Sequence, residues 1–134
     1  MIMVSAPRYF YRKADKLKSR KQIELVFKKG KTFMAFPLKI HWYADKSTHA
    51  VLQAAVSVPS RHFKKAVDRN KIKRIMREAW RLNKNSLQQQ TVDLHQNLSV
   101  FIVYVGNEVP QYDTLADKTK TSINKLKKLM VEAG

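Results

Sequence analysis

The stretch KKAVDRNKIKRIMREAWRLNK, Lys64 to Lys84, combines a clean period with an extreme charge. From Arg69 to Lys84 it holds seven basic residues, Arg69, Lys71, Lys73, Arg74, Arg77, Arg81 and Lys84, against one acid, Glu78. Wound as a helix at roughly 100° per residue, it gathers Asn70, Lys73, Arg74, Arg77, Arg81 and Lys84 on about a third of the circumference. Ile72, Ile75, Met76, Ala79 and Leu82 fall opposite. One face is suited to packing and the other to meeting negative charge. Surface helices ordinarily mix signs, because like charges at (i, i+4) cost roughly 0.2 to 0.5 kcal/mol each. Lys73 with Arg77 and Arg77 with Arg81 both carry that cost, which points to phosphates opposite the column rather than to a merely solvated face.

The surrounding chain sets the class of domain. At 134 residues and 44% hydrophobic content it is long enough for one core and too short for two. A formal net charge of +17 directs it to a polyanion. The longest apolar runs, such as Val100 to Val105, are too short to span a bilayer, and nothing near Met1 resembles a signal segment, so a cytoplasmic location without membrane is expected. Cysteine is absent, which removes disulfides, thiolate metal sites and a cysteine nucleophile. His41, His49, His62 and His95 are scattered, and Gly30, Gly106 and Gly134 form no phosphate-cradling loop. The ten acids stand singly, so no catalytic or metal-binding cluster can be nominated for nuclease chemistry.

Upstream of the basic helix, residues 1–16 read as a basic tail. Its RYFYRK segment is either an arm that orders on RNA or a frayed terminus, and the domain proper is expected over 17–134. Ser19 followed by Gln22 forms a capping box for a helix over Arg20 to Lys29, with Gly30 placed as a left-handed stop. Ile23, Val26 and Phe27 form its apolar stripe. Period-two alternation from Thr32 to Tyr43 puts Leu38, Ile40 and Trp42 on one strand face and Lys39, His41 and Tyr43 on the other. Thr32 to Phe36 reads as a separate short strand before Pro37. A turn at Asp45 to Thr48 leads to Ala50 to Val58, and the two strands are expected to pair as an antiparallel hairpin.

A strand and Pro59 directly precede the basic helix, which speaks against a DNA-reading helix-turn-helix and for folded RNA. Downstream, Asn85 to Asn97 reads as a polar loop. Leu98 to Val105 is apolar on both faces, as a central strand would be. A final helix over about Thr114 to Met130 turns Leu115, Thr119, Ile123, Leu126, Leu129 and Met130 inward.

Within this frame, SVPSRHFKKAVDRNKIKRIMREAWR, Ser57 to Arg81, closely resembles the signature of the bacterial ribonuclease P protein subunit. The resemblance extends over about Leu17 to Met130. It implies a single-domain α+β sandwich, in the order α-β-β-β-α-β-α, like a domain of a small-subunit ribosomal protein, with a left-handed βαβ crossover through the basic helix. It also implies a protein that binds a catalytic RNA and the 5′ leader of precursor tRNA, assisting endonucleolytic 5′ maturation. The RNA would supply the catalysis with Mg2+, the protein binding no cofactor and needing no obligate protein partner. Arg69, Asn70 and Lys71 stand at the family's Arg-Asn-Arg triplet, with Lys in place of the third Arg, which keeps the charge but loses the bidentate fork. By the same resemblance, Arg61, Lys64, Lys65, Lys73, Arg74, Arg77 and Arg81 join them against the catalytic RNA. The leader-binding cleft would comprise Ile23, Phe27, Lys39 and His41, with Ile23 and His41 standing where the family has aromatics. A non-enzymatic ribosome-associated RNA-binding protein and a protein-only nuclease are the rival functions.

Overall fold

The computed structural model describes residues 15–46 and 51–133. Met1 to Ala14, most of the expected basic tail, and Ser47 to Ala50, part of the expected turn, lie outside the described residues. The elements are α1 (Arg20–Lys29), β1 (Lys31–Ala35), β2 (Leu38–Lys46), β3 (Leu52–Ser57), α2 (Ala66–Asn83), α3 (Asn85–Leu94), β4 (Gln96–Tyr104) and α4 (Tyr112–Ala133). The expected α-β-β-β-α-β-α order is present, with α3 added between α2 and β4.

One sheet in the order β1-β2-β4-β3 divides the molecule. The expected hairpin of the second and third strands does not form. β4 stands between them, antiparallel to β2 (Ile40 opposite Ile102) and parallel to β3 (Val56 opposite Ile102). The physical reason is burial. Leu98, Ser99 and Val100 are buried in succession along β4, and at an edge such a strand would expose both apolar surface and unpaired backbone. Asn97 Oδ1 accepts the Val51 N–H at 2.9 Å and Val51 O accepts the Leu98 N–H at 2.9 Å, which fixes where β3 begins alongside it. The antiparallel partner that β2 does find in its own neighbourhood is β1, as the separate strand before Pro37 predicts, in register from Lys31–Trp42 to Ala35–Leu38.

Parallel pairing of β3 with β4 requires a long crossover, and α2 with α3 supplies it. Leu38, Ile40 and Trp42 of β2 and Leu98, Val100, Ile102 and Tyr104 of β4 form one sheet face. Ile72, Met76 and Trp80 of α2, Leu87 of α3, and Leu115, Ile123, Leu126 and Met130 of α4 complete the core against it. Each such side chain, fully buried, contributes about 1.5 to 3 kcal/mol. Thr119 is buried as expected and donates to Leu115 O at 2.7 Å, while Leu129 is only half-buried. No helix among the described residues is long and apolar enough to cross a membrane.

The segment expected to be a polar loop, Asn85 to Asn97, is instead α3 followed by the start of β4. Leu87 and Thr91 are fully buried one turn apart, and Gln90 Nε2 donates to Lys127 O at 2.7 Å, so the helix is held by tertiary anchors despite its polar composition. His95, at φ 51°, provides the left-handed residue that ends it. Gly30 does not play that part for α1. Its φ of −76° and ψ of 174° are extended. Glycine is required there because a Cβ would run into the carbonyl oxygens of Val26 and Trp42. Ser19 accepts the Gln22 N–H at 3.4 Å, as the capping box predicts. Gly30→Ala is therefore expected to destabilise the fold by more than about 2 kcal/mol, measured by urea denaturation. A cost below about 0.5 kcal/mol would show that α1 shifts freely against β2.

Candidate nucleic-acid interface

α2 packs through Ile72, Met76, Ala79 and Trp80, all buried. Ile75 is half-buried, and Leu82, expected on the packing side, is 36% exposed because Trp80 takes the inward position near the end of the helix. With the apolar side committed to the sheet, Asn70, Lys71, Arg74 and Arg77 are exposed and Lys73 is half-exposed. None of these five forms a side-chain polar contact with another described residue.

Three cations of the stretch are already engaged. Arg69 turns its guanidinium back and donates to Phe63 O at 2.6 Å and Lys64 O at 2.9 Å, tying down the connection that carries Arg61, Lys64 and Lys65. Arg81 forms a salt bridge with Glu78, which offsets the repulsion expected from Arg77. Lys84, expected on the basic face, is only 3% exposed; its Nζ donates to Gln88 Oε1 at 2.9 Å. Burial lowers the Lys84 pKa, with Asp15 acting in the opposite direction. The outward column thus consists of Asn70, Lys71, Lys73, Arg74 and Arg77, preceded by the exposed Arg61, Lys64 and Lys65.

The second candidate surface lies on the other side of the sheet. Strand register sets its floor in rows: Thr32, His41, Phe101 and Ala55 in one, Met34, Lys39, Val103 and Ser57 in the next. α1 covers the far end of this face, where Val26 is buried and Gln22 Nε2 donates to Ser99 Oγ at 3.0 Å. Phe27 projects from α1 at 50% exposure. Its ring centroid lies 4.8 Å from that of His41 and 5.1 Å from that of Phe101, the latter edge-on. Phe27 and His41 therefore meet, with Lys39 one row away. Ile23, a turn earlier on α1, is half-buried. The residue that sequence reasoning missed is Phe101. Its signal was present: alternation along β4 puts Ser99, Phe101 and Val103 on one face, a pattern hidden by a strand apolar throughout.

His41 Nδ1 lies 3.0 Å from Thr32 Oγ1. Burial, then the neighbouring Lys39 charge, holds the His41 pKa below its ordinary 6.5. His41 is therefore neutral at pH 7, and Lys39 carries the positive charge of the cleft floor. β3 leaves the sheet at the Lys39 row, so the chain carrying Arg61, Lys64 and Lys65 departs from the same end to which the cleft opens.

A family model described as Ribonuclease P matches residues 11–127 of the chain. The chain belongs to the ribonuclease P protein family. The ribonuclease P protein component of Porphyromonas gingivalis strain W83 is 33% identical over 123 residues, covering 90% of this chain and 89% of the relative. That of Borreliella afzelii strain PKo is 30% identical over 115 residues, covering 86% and 91%. Among solved structures, the RNase P protein of Staphylococcus aureus superposes with a TM-score of 0.63 at 18% identity, covering 87% of this chain and 97% of that one. The RNase P protein of Thermotoga maritima gives 0.64 at 21%, covering 82% and 96%. At these identities the structural likeness is one of fold.

Two outcomes follow from the site geometry. Arg69→Ala should lower stability by about 1 to 2 kcal/mol, since it removes charge-assisted bonds to two carbonyls, whereas Arg74→Ala should stay within about 0.5 kcal/mol; equal effects in denaturant would contradict the assignment. For His41, the folded protein binds fewer protons than the unfolded chain just below pH 6.5, so its contribution to stability is present above 6.5 and is lost as pH falls through the folded pKa. His41→Gln should flatten the loss of stability between pH 7.5 and 5.5, and an NMR titration should place the His41 midpoint below 6.5.

Proposed function

We propose that this chain is the protein subunit of ribonuclease P, taking part in 5′ maturation of tRNA by binding the catalytic RNA along α2 and the single-stranded leader of precursor tRNA in the Phe27–His41–Phe101 cleft. The observation that carries the proposal is the joint geometry of the two surfaces. α2 carries a column of cations without side-chain polar partners among the described residues, and the opposite face of the sheet carries an aromatic floor with one cation, the two joined by the chain that leaves β3 at the Lys39 row.

The column suits a folded RNA, whose phosphates it neutralises with release of counterions. The cleft suits unpaired bases, because rings receive any base by stacking while Lys39 offers charge to the backbone. Arg61, Lys64, Lys65, Asn70, Lys71, Lys73, Arg74 and Arg77 are the residues assigned to the catalytic RNA. Arg69 acts there mainly by holding the strand-to-helix connection, and Arg81 is shared with Glu78. Ile23, Phe27, Lys39 and His41 serve the leader, joined by Phe101.

Hydrolysis is assigned to the RNA with its Mg2+. Among the described residues no three His, Asp or Glu side chains gather. Family membership sets aside the ribosome-associated alternative.

Cleavage of precursor tRNA with a bacterial catalytic RNA, at low magnesium and with or without this protein, tests the function: the protein should accelerate it. No acceleration, or cleavage by the protein without the RNA, overturns the proposal. Arg77→Ala should flatten the plot of log affinity for the catalytic RNA against log salt by roughly one unit, the signature of one lost phosphate contact. An unchanged slope would remove α2 from the interface.

A further inference from the structure

We propose that Met34 and Phe36 form an outer subsite that stacks a nucleobase of the leader beyond the Phe27–His41–Phe101 cleft, so that single-stranded RNA crosses β1 as it leaves the protein. This rests on the proposed assignment of the cleft to the leader and extends it along the Lys39 row of the floor to Met34 and on to the turn after β1.

Three observations carry the extension. Register puts Met34 opposite Lys39 on the cleft's own sheet face, and Thr32 opposite His41 on the same face. Phe36 lies two residues beyond Met34, in the turn between β1 and β2. Both apolar side chains are open to solvent, Met34 at 53% and Phe36 at 64%. Large apolar groups left exposed two residues apart mark a contact surface more than a fold requirement. The turn itself is held without them, since Pro37 is buried and its carbonyl accepts the Val105 N–H at 2.8 Å.

The arrangement fits RNA better than a protein partner. From the His41 row to the row of Met34 and Lys39 the strands advance about 6.6 Å, and Phe36 follows in the turn just past Met34, so apolar surfaces recur along a path with Lys39 opposite Met34. A ring and a thioether next to a cation match a base and its phosphate, and stacking tolerates any base. A second copy of this chain would have to bring a net charge of +17 against the same charge.

The test uses holoenzyme assembled from this protein and a bacterial catalytic RNA, with precursor tRNAs whose leaders are shortened from the 5′ end one nucleotide at a time. Substrate affinity is read from single-turnover titrations. Phe36→Ala and Met34→Ala should match the unaltered protein on short leaders and lose affinity on long ones, about tenfold for Phe36→Ala, the loss of one base stack. Phe36→Trp should retain affinity on long leaders, and its added fluorescence should be quenched only by them. Circular dichroism of each variant should be unchanged.

A loss equal at all leader lengths, or a weakened affinity for the catalytic RNA alone, would assign Phe36 to another contact and overturn the proposal. If Phe27→Ala weakens every leader while Phe36→Ala weakens none, the outer subsite falls and the cleft remains. If Phe27→Ala is silent throughout, the cleft assignment fails, and the outer subsite with it.

Discussion

The pairing of β4 on both sides constrains everything else. A strand with this much apolar surface has to be flanked, and its two partners come from the same earlier segment of chain, β2 antiparallel and β3 parallel. The parallel partner cannot be reached by a turn. A helix must carry the chain over the sheet, and that helix must spend its apolar side on the sheet. Once Ile72, Met76 and Trp80 are so committed, the direction of Arg74 and Arg77 is no longer free. The charge column faces outward because the sheet order demands it.

This dependence also separates two kinds of basic residue that composition treats alike. Arg69, Arg81 and Lys84 belong to the fold: one braces a connection, one is paired with Glu78, and one is buried where α2 gives way to α3. Arg74, Arg77 and Lys71 make no such contacts and remain available to a ligand. A formal charge of +17 thus overstates what an RNA would meet on α2.

The period of 3.6 in α2, the capping box of α1 and the alternation in β2 were legible because each is a local pattern with a physical cause. The alternation also separated Leu38, Ile40 and Trp42 from Lys39 and His41, and hence core from cleft, before any strand order was known. What failed was non-local or tertiary. Pairing of the second strand with the third was expected from their proximity in sequence, whereas burial of β4 decided it. α3 looked like a loop because its side chains are mostly polar, although Leu87, Thr91 and Leu94 recur at helical spacing; its stability comes from contacts with α4 and the core. Phe101 was hidden because a strand buried on one side and ringed on the other reads as uniformly apolar.

Gly30 has a consequence for the shape of the cleft. The Trp42 carbonyl of β2 stands where a Cβ of Gly30 would lie, and Gln22 is bonded to Ser99, so α1 meets the sheet closely at its last turn and near its first. The spacing between Phe27 and the floor is set when the chain folds, so a strand bound in the cleft as proposed would meet a groove whose entropic cost was met in folding rather than on capture.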